Sequence, residues 1–342
     1  MQSDHLSTGL RPLVCLAGVL ESFRNGSDDI LRRFSGIHLS ASTIRRATKK
    51  AGARLAEQQQ NGNIVVPRRM QPWDFRLKDS SATVAYLGLD AFSVPMQQPG
   101  GKKADRRMLY TAVLYTPDKK TSHYLVDFDM DKLAAQMRQA AIRLGLAAAQ
   151  TLIALTDGGN GMREALRRHF NDDLLFILDW YHASERLHDY ARFLPSGEAA
   201  AVWVETAKSI LYEQGGKKLL EHLRQQPVPA DAAVADELRK VIQYFQDNEH
   251  RTDYPDYRQR GWDIGSGPTE AACKVVGARL KQSGMRWVEF GAAQVAPLRA
   301  LYQSGAAAWD AFWNLAASRP DSLPRPNRAV LFLTLPRIGR PP

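Results

Sequence analysis

The spacing of apolar residues changes character along the chain, and each change predicts a different kind of element. Over residues 11–24, Leu13, Leu16, Leu20 and Phe23 recur at helical spacing and predict a short helix with that stripe inward. Asn25-Gly26-Ser27-Asp28 reads as a turn, and a second helix is expected over 28–34. Gly36 to Ser40 breaks it, and Ser40 or Ser42 can cap a third helix running to about Glu57. Helix, short glycine-containing turn and helix form a helix-turn-helix outline. A helical hairpin with a solvated basic face has the same pattern. Residues 58–78 are polar, with Pro67, Arg68-Arg69 and Pro72, and read as a linker.

Beyond it the period shortens to that of strands. Residues 83–96 read as a strand with Asp90 inside an apolar run, and 99–103 as a loose loop. Residues 107–115 and 122–128 read as two strands joined through a hairpin at 116–120. A helix is expected over 132–146, a buried strand over 151–156 ending at Asp157-Gly158-Gly159, a helix over 161–170, and a buried strand over 174–178 ending at Asp179. Three hairpin-linked strands followed by alternating helix and strand predict an α/β fold with a mixed five-stranded sheet and flanking helices. From Tyr181 to about Glu249 the period is helical throughout, broken at Pro195-Ser196-Gly197, Gly215-Gly216 and 227–229, so an all-helical insertion is expected over 181–260. Residues 250–267 read as a polar, aromatic loop. Pro268 suits the first turn of a helix reaching Leu280. One or two helices follow over 291–317, and 319–342 reads as a Pro/Arg-rich tail.

Composition narrows the class. With 342 residues and 44% hydrophobic content the chain can bury a sizeable core, which excludes wholesale disorder. The apolar runs at 174–178 and 329–335 are far too short for a bilayer span, and 13–20 lacks the cleavage pattern of a signal peptide. Cys15 and Cys273 cannot form a disulfide framework or a four-ligand zinc site. The eight histidines show no ligand spacing. A reducing cytoplasm is the expected compartment. The net charge of +10 is uneven: residues 1–80 carry 13 basic against 7 acidic side chains, residues 261–342 carry 10 against 5, and the middle is near neutral. Basic ends fit a polyanion, nucleic acid first, although a solubilising surface gives the same total. Arg45, Arg46, Lys49, Lys50 and Arg54 on the third helix are the N-terminal candidates for DNA contact.

Three carboxylates are candidates for chemistry. Asp90 sits inside a strand, where an ionised group is costly unless paired or bound to a metal. Asp157 ends a strand, the usual place for ligand sites in α/β sheets, and is also readable as a cap for 161–170. Glu270 lies in the first turn of a helix, where the helix dipole alone would favour it. Converging from two strands and a helix, they would offer hard oxygen ligands to Mg²⁺, and a pair of such ions serves phosphodiester chemistry.

The chain resembles the DDE transposases, specifically bacterial insertion-sequence transposases of the Kra type, with a Mutator-like layout. The resemblance is carried by Leu87-Gly88-Leu89-Asp90, Thr156-Asp157-Gly158, Asp179-Trp180-Tyr181-His182 and Gly265-Ser266-Gly267-Pro268-Thr269-Glu270, continuing from Arg279 to Trp287, and spans roughly residues 10–315. It implies a ribonuclease-H-like core, with Asp90, Asp157 and Glu270 as its metal-binding triad for Mg²⁺ or Mn²⁺, two ions in all. It also implies a helical insertion before the last catalytic helix. The partners it implies are transposon-end and target DNA, engaged as a homo-oligomer. His182 would contact the scissile phosphate or orient a carboxylate. Asp179 would support the triad, or only cap the next helix. Lys281, Arg286 and Trp287 would hold DNA, the indole stacking on a base, unless Trp287 packs in the core. Asp127 and Asp129 read as a solvated turn or cap, and Cys273 as a small packing residue beside the site. Similar proteins usually carry more residues ahead of the segment that starts here, so part of an end-recognition domain is expected to be missing.

The expected activity is therefore metal-dependent DNA cleavage and strand transfer. The alternatives are a ribonuclease-H-like nuclease or resolvase that does not join strands, and a non-catalytic DNA-binding derivative.

Overall fold

The computed structural model describes residues 6–67, 72–97, 105–159, 161–171, 173–195, 197–281 and 284–314. Arg68-Arg69, the expected 99–103 loop and the expected 319–342 tail lie outside these residues.

A five-stranded mixed sheet forms the centre, in the order β3-β2-β1-β4-β5. Its strands are β1 (Val84–Pro95), β2 (Arg106–Tyr115), β3 (Ser122–Asp127), β4 (Thr151–Thr156) and β5 (Leu174–Leu178). β1, β2 and β3 pair antiparallel, whereas β4 and β5 run parallel to β1. The polarity follows from the connections: a short turn joins β2 to β3, and helices α4 (Met130–Arg143) and α5 (Met162–Phe170) carry the crossovers. Asp129 caps α4, its carboxylate accepting from the amides of Asp131 and Lys132. This matches the cap reading of that residue. Asp127 is half-buried and accepts from Gln136 Nε2 at 3.0 Å.

Alternation along the strands divides the core. Ala85, Leu87, Leu89 and Ala154 face α4 and α5. Val84, Tyr86, Ile153 and Leu155 face α6 (Trp180–Ala191), α7 (Glu198–Arg224), α8 (Ala232–Asn248) and α10 (Gly267–Lys281). Every regular element described between β5 and α10 is helical, as the periodicity predicts. The break expected at Gly215-Gly216 is a kink inside α7, with Gly215 at φ +84°.

Three expectations are corrected. Residues 250–267 are not a loop: they hold a 3₁₀ turn (Glu249–Arg251) and α9 (Tyr254–Gln259), with Arg251 and Tyr254 fully buried. Nor is 61–80 a free linker. Ile64, Phe75 and Leu77 are buried, and 75–77 pairs with the start of β1 through Val84 N–H to Phe75 O at 2.7 Å and Leu77 N–H to Ala82 O at 2.9 Å. Trp73, Phe75 and Leu77 alternate like a strand, and the prolines before them mask that signal.

The third correction concerns α1 (Leu10–Leu20), which turns Leu13 outward and buries Val14, Cys15, Ala17 and Val19. It packs against both α3 (Ala41–Gln60) and α11 (Glu289–Gln303), so it needs two apolar faces rather than one stripe. Small residues allow the approach; a Cβ at Gly18 would overlap Thr48 Oγ1. Between α1 and α3, α2 (Phe23–Asn25) runs into a π-helical stretch, Gly26–Phe34, and Ser40 caps α3 by accepting from Thr43 N–H. Val14, Leu31, Ile44 and Leu55 form one cluster with Leu298 and Leu301 of α11 and with Trp309 and Phe312 of α12 (Ala306–Trp313). The N-terminal helices thus share a core with the C-terminal ones.

Candidate active site

Sheet register brings two of the three acids together. Gly88 of β1 lies opposite Leu155 of β4 in a parallel pair. Continued by two residues, past the end of β4 at Thr156, that register would bring Asp157 level with Asp90, neighbouring strands lying about 4.8 Å apart. Parity fixes the face: Tyr86 and Gly88 on β1, and Ile153 and Leu155 on β4, point toward α10, and Asp90 and Asp157 extend those rows. Gly88 lets α10 settle on the sheet, since a Cβ there would overlap Thr269 Oγ1. Thr269 precedes Glu270. Accordingly Asp90, Glu270, Cys273 and Lys281 line one cleft of about 610 Å³.

Each acid has a defined partner. The Asp90 carboxylate accepts from its neighbour's amide, Ala91 N–H at 2.6 Å, and from Cys273 Sγ at 3.5 Å. Burial and the nearby Asp90 charge push the Cys273 thiol far up, so it is a protonated donor. Spacing alone suggested only packing there. Asp157 Oδ1 accepts from Gly159 N–H at 3.3 Å, and the N-cap of α5 is Gly161, so Asp157 does not cap that helix. Glu270 pairs with Lys274 at 3.1 Å, one turn along α10, with both side chains largely solvated. Such a pair holds a carboxylate weakly. Among the described residues no three His, Cys, Asp or Glu side chains are already drawn together as an ion-holding group.

Asp179 and His182 are the most tightly built part of the site. The Asp179 carboxylate is wholly buried. It accepts from Ser266 N–H at 2.5 Å, from His182 N–H at 3.1 Å and from His182 Nδ1 at 2.6 Å. It therefore caps α6, as one reading of this residue expects, and also pairs with the ring. Burial works against its charge, but the donations from His182 and Ser266 outweigh it and keep the carboxyl below its ordinary range. The hydrogen bond to Asp179 raises His182 to about 9 against the cost of burial, with Asp179, Asp157 and Asp90 adding attraction. At neutral pH the ring is an imidazolium among three carboxylates.

The cationic candidates divide. Lys281 lies in the acid cleft, its Nζ 4.4 Å over the Phe92 ring. Arg45 and Lys49 of α3 line a separate groove of about 340 Å³ with Arg286, Phe23 and Val288. Arg46 and Lys50 are exposed on α3, while Arg54 stacks over Phe312 at 4.4 Å. Trp287 is corrected: it is 7% exposed, its indole N–H donates to Leu280 O at 2.9 Å, and Arg279 stacks on its ring. Its backbone also bonds to Pro95 O and Gln97 N–H, clamping the end of β1. It packs in the core, the alternative reading of this residue, and also lines the groove of Arg45, Lys49 and Arg286.

Sequence reading missed the residues of the insertion that hold the ends of β4 and β5, where Asp157 and Asp179 follow. Arg251 donates to Thr156 Oγ1 at 3.0 Å and to the Asp157 carbonyl, and Tyr254 Oη donates to Leu178 O at 2.9 Å. Nothing local marked them, because the contacts span about 76 to 95 positions. No helix among the described residues is long and apolar enough to cross a membrane. The chain matches no protein-family model and none of the curated proteins.

Proposed function

We propose that the protein is a DDE-type transposase that cleaves and joins DNA at the ends of an insertion sequence, built on a ribonuclease-H-like core. The observation that carries this reading is the parallel register of β1 and β4, which runs to Gly88 opposite Leu155, two residues short of Asp90 and Asp157, together with the shared cleft of Asp90 and Glu270. The strand order and the helical stretch between β5 and α10 support the same reading.

The donor set suits magnesium or manganese: carboxylate oxygens, with room in an open cleft for retained water. Asp90, Asp157 and Glu270 would hold the ions, with Glu270 giving up its weak pair with Lys274. Divalent ions bound there activate an attacking oxygen and stabilise a leaving one on phosphorus. The chain's own groups do the rest. Asp179 holds His182 through Nδ1, which directs Nε2–H outward as a charged donor for a phosphate oxygen. Lys281 adds positive charge at the cleft wall. Arg45, Lys49 and Arg286 offer a groove for the DNA backbone, with Arg46 and Lys50 on the same helix. An assembly on paired DNA ends belongs to the same proposal.

The test is incubation with Mg²⁺ or Mn²⁺ and DNA carrying the ends of the flanking element. Cleaved ends joined into a target plasmid are expected, and Asp90→Asn, Asp157→Asn or Glu270→Gln should abolish both steps. Cleavage without joining would make the protein a nuclease or resolvase. Terminal-repeat binding without cleavage would make it a DNA-binding derivative. Undiminished cutting and joining by Asp90→Asn or Glu270→Gln would refute the triad.

A further inference from the structure

The helical insertion does more than lengthen the chain between β5 and α10. Its 3₁₀ turn, Glu249–Arg251, reaches back to the loop that carries Asp157. Arg251 is 1% exposed, and all three guanidinium nitrogens are engaged. Nε donates to Asn248 Oδ1 at 2.8 Å, Nη1 to Thr156 Oγ1 at 3.0 Å, and Nη2 to the carbonyl oxygen of Asp157. Asn248 also donates to the carbonyls of Tyr244 at 2.7 Å and Gly158 at 3.5 Å. Tyr244 of α8 lies so close over the loop that a Cβ at Gly158 would overlap its ring. The kink of α7 fixes the other side: Gly216 N–H donates to Thr252 O at 3.1 Å, and a Cβ at Gly216 would overlap the Thr252 side chain.

These hydrogen bonds of Arg251 all end on neutral acceptors. A buried guanidinium so held bears a heavy desolvation cost, offset in part by these three hydrogen bonds and by attraction to the Asp157 charge. Its planar fork spans the last side chain of β4 and the first carbonyl beyond it, which fixes the direction in which the chain leaves the strand. We propose that Arg251 is a positioning residue for Asp157, through which the helical insertion sets the second metal-binding carboxylate beside the first.

This rests on the reading of Asp157 as a metal ligand, so the test separates the two. Arg251→Lys keeps the charge and loses the fork. Mn²⁺ affinity would be measured by electron paramagnetic resonance on the full-length protein, with hydrogen exchange at the amides of residues 157–159. Outer partners of a ligand are typically worth about 10–100-fold in metal affinity. The expectation is at least about tenfold weaker Mn²⁺ binding, faster exchange over 157–159 and unchanged affinity for DNA. Thr156→Val removes the Nη1 acceptor and leaves the contacts of Asn248 with the loop; it should move both readouts the same way, and serves if Arg251→Lys does not fold. Wild-type affinity and exchange in a folded variant would overturn the proposal while leaving the metal site standing. No Mn²⁺ binding by the wild type would overturn the metal reading. The exchange data would then still decide whether Arg251 orders the loop, and no change there would overturn that too.

Discussion

Asp179 buries a full negative charge beneath the site and meets it with three donors, two of them from His182. The pairing gives His182 a titration far from that of a free imidazole, near 9. A nuclear magnetic resonance titration should find it there, and Asp179→Asn should bring it down toward the ordinary value. Because the folded value lies above the unfolded one, the pair stabilises the fold fully below about pH 6.5 and loses that contribution as pH rises through about 9. Wild-type unfolding midpoints should therefore fall across that window, and His182→Ala should flatten the fall. A wild-type His182 that titrates near 6.5 would contradict the pairing. Gly88 makes a second residue-scale prediction. Gly88→Ala forces Cβ into Thr269 and should cost about 1–3 kcal/mol, as overpacking does. Chemical denaturation would measure it, and Thr269→Ala in the same chain should restore much of the stability.

At the scale of elements, the N-terminal helices are the test case. Their helical character and basic residues were legible in the sequence, and Ser40 caps α3 as expected, but the turn expected at 25–28 is helical and the break falls at Glu21-Ser22. Their docking was not legible, because local periodicity does not say which helix fills a given apolar face. Arg279 of α10 donates to Gly18 O at 2.8 Å, and Arg299 of α11 to Val19 O at 3.2 Å, so two buried guanidinium groups satisfy the C-terminal carbonyls of α1. Removing residues 1–60 would uncover Leu298, Leu301, Trp309 and Phe312. Such a truncation should abolish cooperative unfolding rather than leave a stable catalytic core, as circular dichroism during thermal melting would show. Leu31→Ala, Ile44→Ala or Leu55→Ala should each cost about 2–5 kcal/mol. Substitutions at Arg45 and Lys49 should leave stability nearly unchanged while weakening DNA binding. They should also flatten its salt dependence, by about one unit of slope for each phosphate no longer neutralised.

For the whole molecule, the sheet was readable because each strand carries its own alternation and its connections dictate polarity. β4 and β5 fall on the residues expected, and β1 and β2 within one. Asp90 and Asp157 were legible for the same reason, since a strand's end and its face follow from counting. What stayed hidden depends on long-range packing: Arg251 under Asp157 and the strand-like run from Trp73 to Leu77. Charge follows the same logic. The +10 is spread over surfaces with different roles: a groove lined by Arg45, Lys49 and Arg286 lies apart from the acid cleft, which carries Lys281 on its wall.

The proposed metal site of Asp90, Asp157 and Glu270 is open to direct test by anomalous diffraction from crystals grown with Mn²⁺. A peak coordinated by Asp90 and Asp157 is expected, with Glu270 released from Lys274 and turned toward the ions, and no such peak in Asp90→Asn. Crystals that bind Mn²⁺ elsewhere, or acids that remain more than about 8 Å apart when two-metal sites place their ions about 4 Å apart, would contradict it.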